Sequence, residues 1–317
     1  MKRLMASGSI ERAPERGTFV KSRTEKAFIG VMFGPSLTAE PSHFYRALNR
    51  ALQAEAELRE RVLRVYDGFL GANATAKPVN SPVCRHLETD LRQHAFSGFV
   101  EIQLNPDTEA ARAERAALPA ARWGSLEEAD AALDGRHFMR ESVRWLAAQG
   151  RRKICYVSFI AERRGTPYTE MKDEAFVAAL AEFCLPQFRS RPIVLADTPS
   201  TSERVIYENA LRTVREWFAP GSEAQRPDAL IVDDDIGMRA VALALIRLGV
   251  DVPGQLTVVT EANQDFELHY GIPVVRYEIS AREIARELWT LLWKRIATEP
   301  LPELPILIRG RIREDGK

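Results

Sequence analysis

The 317-residue chain is long enough for two compact lobes, and 45% hydrophobic content is ordinary for a globular protein. No apolar run approaches the roughly 18 residues that cross a bilayer, which excludes a helical membrane protein at the sequence level. Formal net charge is zero but unevenly spread: residues 1–26 hold seven Lys/Arg and three Asp/Glu, a net of +4, and the remainder carries −4.

The basic opening segment has no apolar stretch of signal-peptide type, so no secretion signal is expected. Within it, "IERAPERGTFV" (10–20) has apolar residues on either side of a Pro-Glu-Arg-Gly tip, the pattern of a short two-stranded ribbon carrying basic side chains. Positive charge on such a ribbon suits contact with phosphates, whereas the same charge on a lone tail would be a solvated terminus. Cys84, Cys155 and Cys184 are far apart and outside any C-x-x-C pattern. A reduced cytosolic setting is expected, and neither a structural zinc site nor a cofactor.

From Ala27 onward, short apolar runs alternate with amphipathic stretches. "AFIGVMF" (27–33) predicts a buried strand, and 43–64 a helix with Phe44, Leu48 and Ala51 on one face. "FSGFVEI" (96–102) is the next strand. The Ala-rich run 106–133 fits either a surface helix or a loosely ordered insertion. Residues 138–149 predict a helix burying Val143, Leu146 and Ala147, stopped by Gly150, with Arg151-Arg152-Lys153 beyond the negative end of its dipole. "KICYVSF" (153–159) is then a strand. A helix through Phe176, Leu180 and Phe183 follows, then the strand "RPIVLAD" (191–197) and a helix over 203–218. "PDALIVDDD" (227–235) is a strand ending in acids, before a helix carrying Val241, Leu245 and Leu248 and stopped at Gly249. "QLTVVTE" (255–261) is a strand, Ile284, Leu288, Leu291 and Leu292 mark the last long helix, and "LPILIRGRIRE" is extended. Such alternation argues for an α/β protein with parallel sheets flanked by helices, and its length argues for two lobes.

Three stretches carry a family resemblance. "FMRESVRWLAAQGRRKICYVS", "RPDALIVDDDIGMRAVALALIRLGVDVPGQLTVVTEAN" and "GIPVVRYEISAREIARELWTLLWKRI" with "LIRGRIRE" resemble the sensor domain of lactose/galactose-repressor (LacI/GalR) regulators. That resemblance covers roughly 27–315 and is weakest between about 60 and 130. It implies the periplasmic-binding-protein type I fold: two lobes, three crossings and a ligand cleft between them. The implied domain is 27–317, with one lobe over about 27–157 and 276–300 and the other over about 158–275 and 301–317. The opening stretch "RLMASGSIERAPERGTFV" resembles the end of the winged helix-turn-helix of gluconate-repressor (GntR) proteins. Leu4 and Gly8 match its recognition-helix end, Ile10 and Arg12 its first strand, and Arg16 to Val20 its wing. Residues 1–26 would be a remnant of that head, with Arg12, Arg16, Gly17 and Thr18 against DNA; Glu15 departs from the usual Gly. Either the reading frame begins upstream of Met1 or DNA binding has been lost, and the intact wing favours the first.

By the strand-end rule for open α/β sheets, cleft residues lie beyond the carboxyl ends of the strands. Phe44 and Tyr45 stand where the resemblance places aromatic stacking residues, although Phe44 equally suits the first core position of its helix. Lys172 falls on the ligand-gripping Arg, and as a point charge it cannot copy a planar fork; as an exposed helix-start lysine it is equally expected to be solvated. Asp235 suits an N-cap, which leaves Asp234 to face the ligand, and the three acids 233–235 could otherwise hold a divalent cation. Ala262 falls on the second gripping acid. Its loss removes charge-assisted hydrogen bonds of about 1.5–3 kcal/mol each, so Glu261 or Asn263 substitutes, or the effector is not an ordinary pentose or hexose. Five scattered histidines (His43, His86, His94, His137, His269) and the lack of a nucleophile motif argue against an enzyme. The expectation is a homodimeric, effector-responsive transcriptional regulator, most simply a repressor, whose partners are operator DNA and a small molecule of carbohydrate type or a derivative; no membrane partner is expected. The alternative is a cytosolic small-molecule binder that has lost DNA binding.

Overall fold

In the computed structural model, strands assemble into two six-stranded sheets, whose inner strands are buried on both faces. The structure describes residues 10–13, 17–20, 27–38, 43–70, 81–103, 118–124, 129–160, 167–188, 193–196, 202–265, 268–303 and 305–314. In chain order the strands and helices are β1 (Ile10–Ala13), β2 (Gly17–Val20), β3 (Phe28–Phe33), α1 (His43–Leu58), β4 (Leu63–Asp67), α2 (Pro82–Gln93), β5 (Phe96–Ile102), β6 (Ala120–Trp123), β7 (Ala131–Leu133) and α3 (Gly135–Ala148). They continue with β8 (Ile154–Ile160), α4 (Pro167–Glu182), β9 (Ile193–Ala196), α5 (Glu203–Trp217), β10 (Ala229–Val232), α6 (Asp235–Arg247), β11 (Thr257–Asn263), β12 (Val275–Ile279), α7 (Ala281–Ile296), β13 (Ile306–Ile308) and β14 (Arg311–Glu314). Among the described residues, no helix is long and apolar enough to cross a membrane.

The first sheet has the order β13-β7-β6-β5-β3-β4, with all its pairs parallel. Ile29, Val31, Met32 and Phe33 of β3 are fully buried, because α1 and α7 cover one face while α2 covers the other. Each such side chain contributes roughly 1.5–3 kcal/mol by leaving water. The second sheet has the order β14-β12-β11-β10-β8-β9, parallel except where β14 runs against β12. Helices α3 and α4 pack on one face, and α5 and α6 on the other. This is the two-lobed α/β architecture that the resemblance implied.

The chain crosses between lobes three times, at Asp134, at Ser280 and at Arg309-Gly310. Sheet membership corrects the expected lobe bounds. Ile154–Val157, expected in the first lobe, belongs to the second sheet, as does β12, whereas β13 returns to the first. The reason is the buried stripe of α3: Phe138, Met139, Val143 and Leu146 pack on Ile154, Tyr156, Ile231 and Val259, so the first crossing precedes α3. The Ala-rich run is also corrected. Its carboxyl half forms β6 and β7, with Ala121, Ala131 and Ala132 fully buried.

At the amino end, β1 and β2 form an antiparallel ribbon, with Ile10 opposite Val20 and Arg12 opposite Thr18. The helix end expected at Leu4 to Gly8 and the tip residue Arg16 lie outside the described residues.

Candidate ligand cleft

Parallel pairing brings β8, β10 and β11 to one carboxyl edge, and polar side chains collect there. Lys172 is not an exposed helix-start lysine. Its side chain is 4% exposed, with Nζ 3.8 Å from Asp233 Oδ2 and 3.5 Å from Glu261 Oε2. The Phe138 ring lies 5.5 Å below the same ammonium. Asp233 is further held by Tyr156, whose hydroxyl donates to Oδ2 at 2.6 Å, and by Ser158 Oγ at 3.3 Å. Burial and the Asp233 charge raise the Tyr156 phenol well above its ordinary range, so it remains a donor.

The acids 233–235 diverge rather than converge. Asp234, not Asp235, caps α6: its Oδ1 accepts from the amides of Ile236 at 2.8 Å and Gly237 at 3.3 Å. Its carboxylate therefore faces the helix end, because it is the last extended residue before the helix. Asp235 instead lines a small recess with Ala262, Asn263, Leu268, Tyr270 and Arg276. Burial and the neighbouring Glu261 push its carboxyl up to about 6, against the opposing pull of the Ile236 amide and Arg239. Asn263 accepts from Asp265 N at 2.8 Å through Oδ1, while its buried Nδ2 has no hydrogen-bond partner among the described residues. Arg276 donates through Nη2 to the Leu268 carbonyl at 3.2 Å.

The first lobe contributes aromatic surface. Phe44 and Tyr45 open α1 with ring centroids 5.3 Å apart; Phe44 lies 6.4 Å from Trp123, and Tyr45 lies 6.4 Å from Phe33. Tyr45 donates its hydroxyl to Gln103 Oε1 at 2.6 Å. Half-buried Phe44 packs against the cores of both lobes, so it is a contact between them as well as the first apolar residue of its helix. Of the expected effector residues, Lys172 and Glu261 meet through their side chains, Asp235 and Asn263 share the recess, Asp234 caps α6, and Phe44 and Tyr45 pack on each other at the start of α1. Sequence reasoning missed Gln103, Ser158 and Tyr156. The strand-end rule reaches Gln103, which directly follows β5, but not Tyr156, which sits within β8 and acts through its long side chain.

Where the lobes join, the crossings are tied by polar contacts. Asp134 N donates to the Ile308 carbonyl at 2.8 Å. The Asp134 carboxylate accepts from His137 N at 2.9 Å and from Arg309 Nε at 2.8 Å. Tyr277, 2% exposed, receives Gly310 N–H on its hydroxyl oxygen at 2.8 Å and pairs with His137 Nδ1 at 2.8 Å.

A family model described as a periplasmic binding protein-like domain matches residues 143–314. Among solved structures, the chain is similar to the lac repressor dimer bound to operator and the anti-inducer ONPF, with a TM-score of 0.68 and 14% identity over 92% of this chain and 94% of that one. It is also similar to a LacI family transcriptional regulator from Arthrobacter sp. FB24 in complex with lactose (TM-score 0.62, 17% identity, 91% of this chain and 97% of that one). A third is a LacI family transcriptional regulator from Lactobacillus casei with bound sucrose (TM-score 0.61, 18% identity, 92% and 100%). A search of curated proteins finds no match. At such identities the structural likeness establishes the fold.

Proposed function

The chain belongs to the family of periplasmic binding protein-like domains, and on that premise we propose that it is a ligand-responsive transcriptional regulator. A small effector enters between the lobes, shifts the population of their relative positions, and changes how a homodimer presents two DNA-reading heads. The observation that carries this reading is a pair of chemically different surfaces near the lobe junction: Phe44 packs against the cores of both lobes, and Phe138 of one of those cores lies 5.5 Å from the ammonium of Lys172, which forms a charged wall with Asp233 and Glu261. A polyol or sugar derivative offers both an apolar face and hydroxyls, and regulators of the same fold have been solved with lactose and with sucrose.

Two departures shape the effector. Lys172 is already engaged by Asp233 and Glu261, so it organises that wall. Ala262 supplies no carboxylate, which leaves Asp235, Glu261 and Asn263 as the polar groups beside it. The basic ribbon of β1 and β2 supports a winged, GntR-type head, with Arg12, Arg16, Gly17 and Thr18 as its DNA contacts.

A thermal-shift screen of small metabolites, followed by small-angle scattering with any hit, tests the reading. A stabilising compound should also reduce the radius of gyration. Stabilisation with unchanged dimensions, together with undiminished binding in a Lys172→Met variant, would place the effector elsewhere.

A further inference from the structure

The hinge contains a hydrogen-bond arrangement that one proton can upset. The Tyr277 hydroxyl oxygen accepts Gly310 N–H from the third crossing. With that acceptance made, the hydroxyl proton points to His137 Nδ1, 2.8 Å away, which accepts it when the imidazole is neutral and protonated at Nε2. Tyr277 lies three residues before the second crossing at Ser280, and His137 sits in the first turn of α3, directly after the first crossing. One side-chain pair therefore joins all three connections between the lobes.

Protonating His137 turns Nδ1 into a donor. The Tyr277 oxygen would then face two N–H groups, and its own proton would lose its acceptor inside a site where Tyr277 is 2% exposed. Burial raises the Tyr277 phenol, so ionising the tyrosine offers no escape. Asp134 caps the helix through the His137 amide and holds Arg309, Arg140 pairs with Glu141 on the same helix, and the charges of Glu261, Asp134 and Glu141 act on Tyr277. Glu141 is itself held by Arg144, whose hydrogen bond lowers its carboxyl.

The cleft abuts this arrangement. Gly135 opens α3, and a Cβ built there would lie 2.8 Å from Met171 Cε and 3.1 Å from Lys172 Cγ. The stem of the lysine that organises the charged wall thus rests on the first residue after the hinge. We propose that His137 and Tyr277 form a proton-operated latch: the neutral imidazole holds the crossings as they stand, and its protonation loosens them and weakens the grip of the cleft. The effect on the cleft rests on the function proposed above; the latch itself does not.

The test needs no effector. Amide hydrogen exchange at Gly310 and Asp134 is followed in the intact, unliganded chain from pH 8 to pH 5.5, after correction for intrinsic exchange. The expected result is a loss of protection of about tenfold at both amides on acidification. His137→Gln, whose side-chain oxygen can still accept from Tyr277, should remove that pH response. Tyr277→Phe should expose Gly310 N–H equally at both pH values. Protection independent of pH in the unmodified chain overturns the latch without recourse to a variant, and so does an unchanged pH response in His137→Gln. Neither result bears on whether the cleft binds an effector.

Discussion

Asp235 and Lys172 are the side chains whose environments most constrain the cleft. The folded Asp235 carboxyl sits at about 6, raised from 3.8 by burial and by Glu261. A raised carboxyl pKa means that ionisation opposes folding. The cost is absent below about pH 4, grows as pH rises through 6, and is constant above it. The two values correspond to about 3 kcal/mol at most, and partial exposure and coupling to Glu261 reduce it. Asp235→Asn should therefore stabilise the protein by about 1–3 kcal/mol at pH 7.5 and by little at pH 4.5, measured as urea midpoints. Equal effects at the two pH values would contradict the assignment. Lys172→Met acts in the opposite direction, because it leaves Asp233 and Glu261 side by side without their ammonium. A loss of about 3 kcal/mol is expected at neutral pH. The loss should shrink on acidification, because protonating either carboxylate relieves their mutual repulsion. Reading the sequence located both residues but not their roles: a lone Lys at a helix start looks solvated until the strands that carry its two carboxylate partners are placed opposite it.

Among the helices, α7 does most to hold the first lobe together. Trp289 is fully buried beneath the Arg59 guanidinium, 5.5 Å from its ring, and donates Nε1–H to the Leu52 carbonyl at 3.2 Å. One turn and a half later, Arg295 forms a two-point ion pair with Asp130, each contact 2.6 Å, which fixes the loop before β7. Trp289→Ala should cost about 3–5 kcal/mol through the cavity and the stranded carbonyl, read from chemical denaturation. A loss under 1 kcal/mol would mean that α1 closes onto α7. The apolar stripe of α7 was plain in the sequence, as were β3, β5, β8, β9, β10 and β11, because their apolar runs are strong, whereas β12 was not read as a strand. The weak stretch was 60–133. There β4 was absorbed into a helix expected to run to Arg64, whereas α1 ends at Leu58 and Glu60 turns with φ 52 without a glycine to signal it. Charged residues around Leu63, Val65 and Tyr66 hid the alternation of an edge strand. In β6 and β7, alanine was read by its helix propensity, yet small side chains are what allow α7 to lie close on a buried strand, and packing overrides propensity.

At the scale of the whole molecule, the proposal links a sensor whose lobes meet through Phe44 to a basic amino-terminal ribbon. The ribbon is antiparallel, and residues 1–26 carry a net charge of +4. That excess is confined to one segment while the body is net negative, so DNA affinity should arise almost entirely from the head, and the acidic body should repel the duplex at low salt. On the proposed reading, Arg16 at the tip of the expected wing contacts a phosphate rather than a base edge. Its removal should therefore weaken binding to every duplex by a similar factor and lower the salt slope by about 1. The measurement is fluorescence anisotropy of Arg16→Ala and the unmodified chain on two unrelated duplexes, each over a range of salt. A loss confined to one duplex would make Arg16 a base reader, and an unchanged salt slope would remove it from the interface. Either result would leave the sensor reading intact, because the two lobes, their crossings and the Lys172 cluster do not depend on the ribbon.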